Sequence, residues 1–199
     1  MNTRPKPRFV QAAATRSSLI ATARRMFAQK GYHEAGTNEL VAAAGVTRGA
    51  LYHHFRDKEH LFEAVFRELA GELFAAASRS VEPLAADRWR QLQEGLQVHL
   101  QLIAASHEMQ RILLIDGPAV FGWHRWRELQ SEFSLGALVS SMEDLIAAKT
   151  IAPRDPLVAA HLVLAALNEA AFLIAYAEAP EEAGTQAGEA LTAMVAGLR

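Results

Sequence analysis

Thr37-Asn38-Glu39-Leu40-Val41-Ala42-Ala43-Ala44-Gly45-Val46-Thr47-Arg48-Gly49-Ala50-Leu51-Tyr52-His53-His54-Phe55 is the stretch that decides the architecture. Gly45 interrupts a run of helix formers, and a threonine follows two residues later. Thr37 and Thr47 are both placed as N-caps, where a hydroxyl accepts from an otherwise orphaned backbone N–H. The stretch therefore reads as a short helix over residues 38–44, a turn at Gly45 and a second short helix over Arg48–His54. Two short helices joined by a glycine-containing turn make a helix-turn-helix layout. Leu40, Val41, Val46, Leu51 and Phe55 can hold the second helix against the first and against its longer neighbours. Ala42, Ala43 and Ala44 are small enough for close approach. The second helix is left with an outward face of Thr47, Arg48, Gly49, Tyr52 and His53.

That face suits a nucleic-acid duplex. Arg48 can donate two hydrogen bonds to a guanine edge, or hold a phosphate. Gly49 and Ala50 keep the helix slim at its start. Thr47 and Tyr52 offer hydroxyls to phosphates, and His53 can do the same or touch a base. Lys58, with the free N–H groups at the start of its own helix, forms a phosphate site, and Thr37 can act likewise at the first short helix. The same layout also occurs in helical hairpins whose polar residues are only solvated. Charge shifts the balance toward DNA. Residues 1–60 hold ten Lys/Arg against four Asp/Glu, a net +6, while the remainder carries −8. A basic first third on an acidic body points to a polyanionic partner for that third only.

Outward from this motif the chain reads as helix nearly throughout, an all-α fold. Upstream, Leu19, Ile20, Ala23, Met26 and Phe27 form an apolar stripe on a helix over 9–30, which Gly31 ends. Downstream, Asp57 caps a longer helix carrying Leu61, Phe62, Val65, Phe66, Leu69 and Leu73. The boundary between two functional units is expected inside that helix, at 9–66 and 67–199, rather than in a flexible linker. After Pro83, helices are expected at 84–105, 123–148, 155–178 and 182–198, with a short one near 107–114. Asp116-Gly117-Pro118 reads as a turn. Asp155 reads as an N-cap with Pro156 in the first helical position, where its missing N–H costs nothing.

Several classes fall away on composition. The 199 residues include no Cys, which excludes disulfides, thiolate metal sites and Cys nucleophiles, and fits a reducing cytoplasm. No continuous apolar run of about 18 residues is visible, so no membrane span is expected. Residues 1–8 are basic but lead into no apolar segment, which argues against a secretory signal. No GxGxxG, P-loop, HExxH or GxSxG motif occurs, so catalysis is not expected, and neither a cofactor nor a metal. The eight His are scattered, although His99, His107 and His161 could converge in space. A helical interaction module that ignores DNA remains the other alternative.

Phe27-Ala28-Gln29-Lys30-Gly31-Tyr32, Thr37, the run Ala44-Gly45-Val46-Thr47-Arg48-Gly49-Ala50-Leu51-Tyr52-His53-His54-Phe55, and Lys58-Glu59-His60-Leu61 together closely resemble the TetR family of repressors. The match covers about residues 16–66. It departs from the family at Gly36-Thr37-Asn38-Glu39, where a second Thr and an Ile are more usual. The segment 112–127 is similar to a signature of one TetR subgroup. The resemblance implies about nine helices: three in the DNA domain, a fourth linking it onward, and a last pair that joins the same pair of a second subunit. It also implies a homodimer on palindromic double-stranded DNA, released by a small-molecule effector. Two reading helices about one DNA turn apart, related by a dyad, read a palindrome that one could not. The Ala- and Gly-rich last two helices, punctuated by Leu157, Leu164, Leu167, Leu191, Met194 and Leu198, are consistent with close packing against a partner.

Such proteins keep an effector pocket in the C-terminal helices. Candidates for its lining are polar or aromatic groups on otherwise apolar faces: Trp89, His99, His107, Trp123, Trp126, His161, Asn168, Glu169 and Phe172. Each of these has a strong competing reading as an ordinary packing residue. A partly apolar ligand held there would favour one subunit arrangement over another.

Overall fold

The computed structural model describes residues 8–84 and 86–199; the basic stretch 1–7 lies outside the described residues. Among the described residues there is no strand. Eight helices stand out, and a single turn, His107–Met109, adds a ninth short piece. They are α1 (Arg8–Lys30), α2 (Thr37–Ala43), α3 (Arg48–His54), α4 (Lys58–Val81), α5 (Arg88–Ala104), α6 (His107–Met109), α7 (Gly117–Ala147), α8 (Pro156–Ala175) and α9 (Pro180–Ala196). The chain divides into two compact units, one through Glu68 and one from Leu69 on, with α4 contributing to both.

In the first unit, α1, α2, α3 and the start of α4 enclose a core of Leu19, Phe27, Leu40, Leu51, Phe55 and Phe62, all essentially inaccessible. Phe27 and Phe62 meet edge-to-face at 5.2 Å, and Tyr32 adds a third ring 5.1 Å from Phe62. The turn between α2 and α3 depends on Gly45, whose φ of 67° is costly for a residue with a Cβ. There the Gly45 N–H bonds to Ala42 O at 3.1 Å and the Val46 N–H to Val41 O at 3.0 Å, closing the last turn of α2.

Thr37 is not the cap of α2. That position belongs to Gly36, which makes no side-chain capping bond, and Thr37 is the first helical residue. The helix therefore begins one residue earlier than its sequence suggests, with a glycine accepting the cap conformation in place of a hydroxyl acceptor.

In the second unit α8 lies at the centre, packed on α5, α7 and α9. Asp155 caps it through the Leu157 and Val158 N–H groups at 2.9 and 3.1 Å, with Pro156 in its first turn. Its sequence is apolar enough, at a mean hydropathy of 2.0 over its best window, to match a membrane span by length and composition. The helix passes that test without a continuous apolar run, because the average tolerates His161, Asn168 and Glu169, and the core helix of a globular unit passes it equally. The inward side of α8 (Ala160, Val163, Leu164, Leu167, Ala171 and Ile174) is buried within the unit. Small residues on α9 are also used internally: a Cβ on Gly184 would sit 2.9 Å from Ala104 Cβ on α5. Much of the small-residue surface expected to face a second subunit is thus consumed inside this one.

The Asp116-Gly117-Pro118 turn does not form. Residues Gln110–Asp116 adopt a π-helix, and Asp116 and Gly117 keep right-handed helical dihedrals into α7. In this register the Gly117 N–H reaches Ile112 O, so Leu113 O falls opposite Pro118, which has no N–H to give. The indole N–H of Trp126 fills the gap, donating to Leu113 O at 2.7 Å. The break moves to Gly122, where φ 74° and ψ 159° kink α7.

Candidate nucleic-acid interface and effector cavity

The reading face of α3 is built locally. Thr47 caps the helix by accepting from the Ala50 N–H at 3.1 Å, which fixes where its first turn begins. Leu51 points into the core, so Thr47, Arg48, Gly49, Tyr52 and His53 are exposed and Ala50 is half-buried. The Arg48 guanidinium lies 5.6 Å from the centre of the Tyr52 ring, a cation–π contact that holds it along the helix without neutralising it. No carboxylate occurs between Leu40 and Arg56. Nearby acids are engaged at the edge: Glu39 with Lys30, and Asp57 with Arg56 at 2.8 Å. The Arg56 hydrogen bond, reinforced by the His60 N–H, holds the Asp57 carboxyl below the usual carboxylate range.

Lys58 is turned inward. Its ammonium donates to Tyr32 O at 2.8 Å and Ala35 O at 3.2 Å and sits 4.2 Å from the centre of the Tyr32 ring. Burial lowers its pKa, while the charge of Glu34 opposes that shift. In this arrangement it clamps the α1–α2 connection and keeps one N–H in reserve. Thr37 is half-buried at the start of α2.

The second unit holds a cavity of about 320 Å³ between α4, α5, α7 and α8. Phe74, Ala77, Val81, Leu92, Leu96 and Leu138 form its apolar wall. Its polar groups are unevenly placed. Arg88 and Asp144, both about half exposed, form an ion pair at 3.4 Å. Gln91 accepts from Arg88 at 2.8 Å and donates to Val81 O at 3.3 Å. Farther along α5, half-buried His99 makes no hydrogen bond among the described residues, and desolvation pushes its pKa down to about 4. Its ring is therefore neutral at neutral pH, with one donor and one acceptor nitrogen.

Comparison with known proteins identifies the family of the chain. Residues 19–65 match the family model for bacterial regulatory proteins of the tetR family, and residues 89–198 match the model for a tetracyclin repressor-like C-terminal domain. The chain belongs to the TetR family. It is similar to the transcriptional repressor Rv1474c of Mycobacterium tuberculosis, 45% identical over 38% of this chain and 40% of that one. It is also similar to the probable acrEF/envCD operon repressor of Escherichia coli, 40% identical over 53% of this chain and 48% of the other. The chain thus spans about half, or less, of the length of these curated relatives. Along nearly its whole length it resembles the crystal structure of a TetR-family transcriptional regulator from Pectobacterium atrosepticum: 31% identity, TM-score 0.81, 98% of this chain and 97% of that one. TetR proteins are transcription regulators rather than enzymes, and repressors of the family bind DNA as dimers.

Within this TetR fold the effector candidates disperse. His99 alone among them lines the cavity. Trp123 and Trp126 stack at 5.1 Å and Phe172 closes on Trp126 at 5.0 Å, but Trp126 is fully buried and Trp123 faces out at 57% exposure. Trp123, Glu169 and Phe172 border a shallow groove with Leu173 and Tyr176. His161 lies in another surface depression beside His124 and Glu128. Trp89 is buried beneath the Arg199 guanidinium, 4.4 Å from its ring centre. His107 is exposed at the start of α6, and Asn168 is half-buried on α8. His99, His107 and His161 do not converge; no metal-holding group of His and carboxylates occurs among the described residues. The residues that do line the cavity, Phe74, Ser134, Leu138 and Ser141 among them, carry no sequence signal, because each looks like an ordinary helix-face residue.

Proposed function

We propose that this TetR-family chain is a ligand-responsive repressor that binds palindromic operator DNA as a homodimer and is released by a small molecule. Residues 9–66 act as the DNA-binding domain and 67–199 as the effector-binding and dimerisation domain. The observation that carries the reading is the face of α3: exposed Thr47, Arg48, Gly49, Tyr52 and His53, without a carboxylate, on a third of the chain with net charge +6. Arg48 reads a base edge or grips a phosphate. Thr47, Tyr52 and His53 add phosphate or base contacts, and Gly49 and Ala50 let the backbone come close. Thr37 and the start of α4 at Lys58 flank the groove as phosphate contacts, Lys58 through its remaining N–H and the positive end of its helix.

Dimerisation through α8 and α9 is supported by what α8 leaves uncovered. Val158, Leu162, Leu173 and Tyr176 are more than half exposed at helical spacing, and Met194 on α9 is 66% exposed. That much apolar surface on one side of a helix pair favours a partner. An effector in the cavity acts by binding the DNA-incompetent arrangement more tightly. α4 supplies Phe74, Ala77 and Val81 to the cavity and begins in the DNA-binding unit, so it provides a continuous covalent path between them. A DNA-binding protein of this kind works in the cytoplasm. An electrophoretic shift with the DNA upstream of its own gene tests the reading; a protein that fails to shift it and other duplexes at low ionic strength is not this kind of regulator.

A further inference from the structure

The outer surface of α8 is ordered about its middle. Leu157, His161, Ala165, Glu169 and Leu173 are all exposed and recur at every fourth position, so they form one ridge along the helix. The ridge is symmetric in chemistry about Ala165. Leucines stand at its two ends. His161 and Glu169, the only base and the only acid of α8, stand one turn to either side of the alanine. Neither of the two makes a hydrogen bond or an ion pair among the described residues. In the depression bordering His161, Glu128 is already held by His124 at 3.2 Å and Arg125 at 3.0 Å. Glu169 borders its groove with Trp123, Phe172 and Tyr176, and no cation lines that groove.

A partner that covers this ridge has to answer Glu169, because a carboxylate taken out of water unpaired is costly. A second copy of the α8–α9 face offers few groups for this. α9 has no Lys, Arg or His, and it exposes Glu181, Glu182 and Glu189. Arg154, just before α8, donates to Ala152 O and Leu198 O, and Arg199 lies on the Trp89 ring. His161 is the unengaged base of that face, and an imidazole N–H donates to a carboxylate whether the ring is neutral or charged. A parallel pairing of two α8 helices would set Glu169 against Glu169, and like charges brought together weaken an interface. An antiparallel pairing about Ala165 sets each Glu169 beside the partner's His161, and each Leu157 beside the partner's Leu173.

We infer that two subunits meet α8 against α8 as antiparallel ridges, with the twofold axis at Ala165 and two reciprocal His161–Glu169 pairs across the interface. This rests on the homodimer reading and adds its register. Ridges of this spacing pack side by side in the commonest class of helix crossing, with the axes at about −50°. Ala165 carries only a methyl group, so the axes can approach to about 8 Å there, which brings the two Cα atoms at the twofold within reach of a disulfide.

The test uses the full-length chain, which has no Cys of its own. After mild oxidation, Ala165→Cys should be recovered mostly as a disulfide-linked dimer. Leu173→Cys should link at least tenfold less, because the same axis holds its two copies about 20 Å apart at ~1.5 Å of rise per residue. Sedimentation equilibrium reads the paired charges. His161→Glu should raise the dimer dissociation constant at least tenfold, and Glu169→His should raise it too. The double variant, His161→Glu with Glu169→His, rebuilds each pair with its ends exchanged and should return to within about threefold of the native value. A change that only disturbed packing would not be rescued in this way. No link through residue 165, equal linking at 165 and 173, or a double variant as weak as the single ones overturns the register. If a charge variant does not fold, the two cysteine variants decide. A native chain that sediments as a monomer removes the homodimer reading and the register together. A native dimer that fails the linking or exchange tests removes the register alone.

Discussion

The proposed reading helix and the proposed effector cavity place their chemistry in opposite ways. In α3, one seven-residue helix carries the functional groups at neighbouring positions, exposed, and a single hydroxyl cap fixes its start. The cavity draws on four helices between Phe74 and Leu167, and its polar groups are already partly satisfied by the protein. A surface built this way tolerates change without loss of fold but loses its contacts directly. A cavity lined by several helices is shaped by residues that also pack the unit, so its chemistry and its stability are linked.

The contrast is broken most severely by a change that leaves both sites intact and removes the partner. Leu162→Glu puts a charge on α8 where the side chain is 67% exposed in one subunit. The subunit should fold normally, sediment as a monomer, and lose operator affinity by about a hundredfold or more, since one half-site contributes too few contacts. A folded variant that remains dimeric would place the interface elsewhere. Next in size is Arg48→Ala. A base contact of this type contributes ~1–3 kcal/mol, so a loss of roughly ten- to a hundredfold is expected, with relaxed base preference if it reads a base and a uniform loss if it holds phosphate. Unchanged affinity and preference on a mutated-operator panel would remove Arg48 from the interface.

A subtler change sharpens the comparison. A Cβ on Gly49 meets nothing closer than Thr47 Oγ1 at 3.8 Å, so Gly49→Ala fits the free protein. Its melting temperature should stay the same or rise slightly, because alanine favours helix. Operator affinity should fall about tenfold if the backbone there approaches DNA closely. The smallest effect concerns the cavity. His99 titrates at about 4 in the fold against an unfolded value near 6.5, so above pH 6.5 it is neutral in both states and adds no pH dependence. As pH falls from about 6.5 to 4 the unfolded chain takes up a proton that the folded one refuses, and stability declines. Arg88 and Asp144 are the other charged groups in this lining, while α4 and α8 contribute none. His99→Leu should flatten the urea-denaturation midpoint between pH 6.5 and 5 relative to the native protein; parallel curves would contradict the assignment.

The same contrast explains what could be read from residues alone. Gly45, Thr47, Asp57 and Asp155 act within one turn of themselves, so local rules identify them. Thr37 failed because Gly36 also accepts a cap conformation, and hydroxyl preference is only a bias. Asp116-Gly117-Pro118 failed because the rescue comes from a distance: Trp126 supplies the N–H that Pro118 lacks. Trp126 was legible as a buried aromatic but not as a backbone donor. The cavity was hardest, since Ser134 and Ser141 acquire meaning only when α7 is laid beside α4 and α5. His99 was visible because a histidine on an apolar helix face is conspicuous wherever it points.

Central to all of this is the engagement of duplex DNA by paired α3 helices. Fluorescence anisotropy with the native protein and labelled DNA from upstream of its own gene, titrated at a series of salt concentrations, tests it most directly. Saturation at an even number of chains per duplex is predicted, with affinity falling by orders of magnitude between about 50 and 200 mM salt as phosphate contacts release counterions. Binding that ignores salt, a single chain per duplex, or no binding at the lowest salt would contradict it.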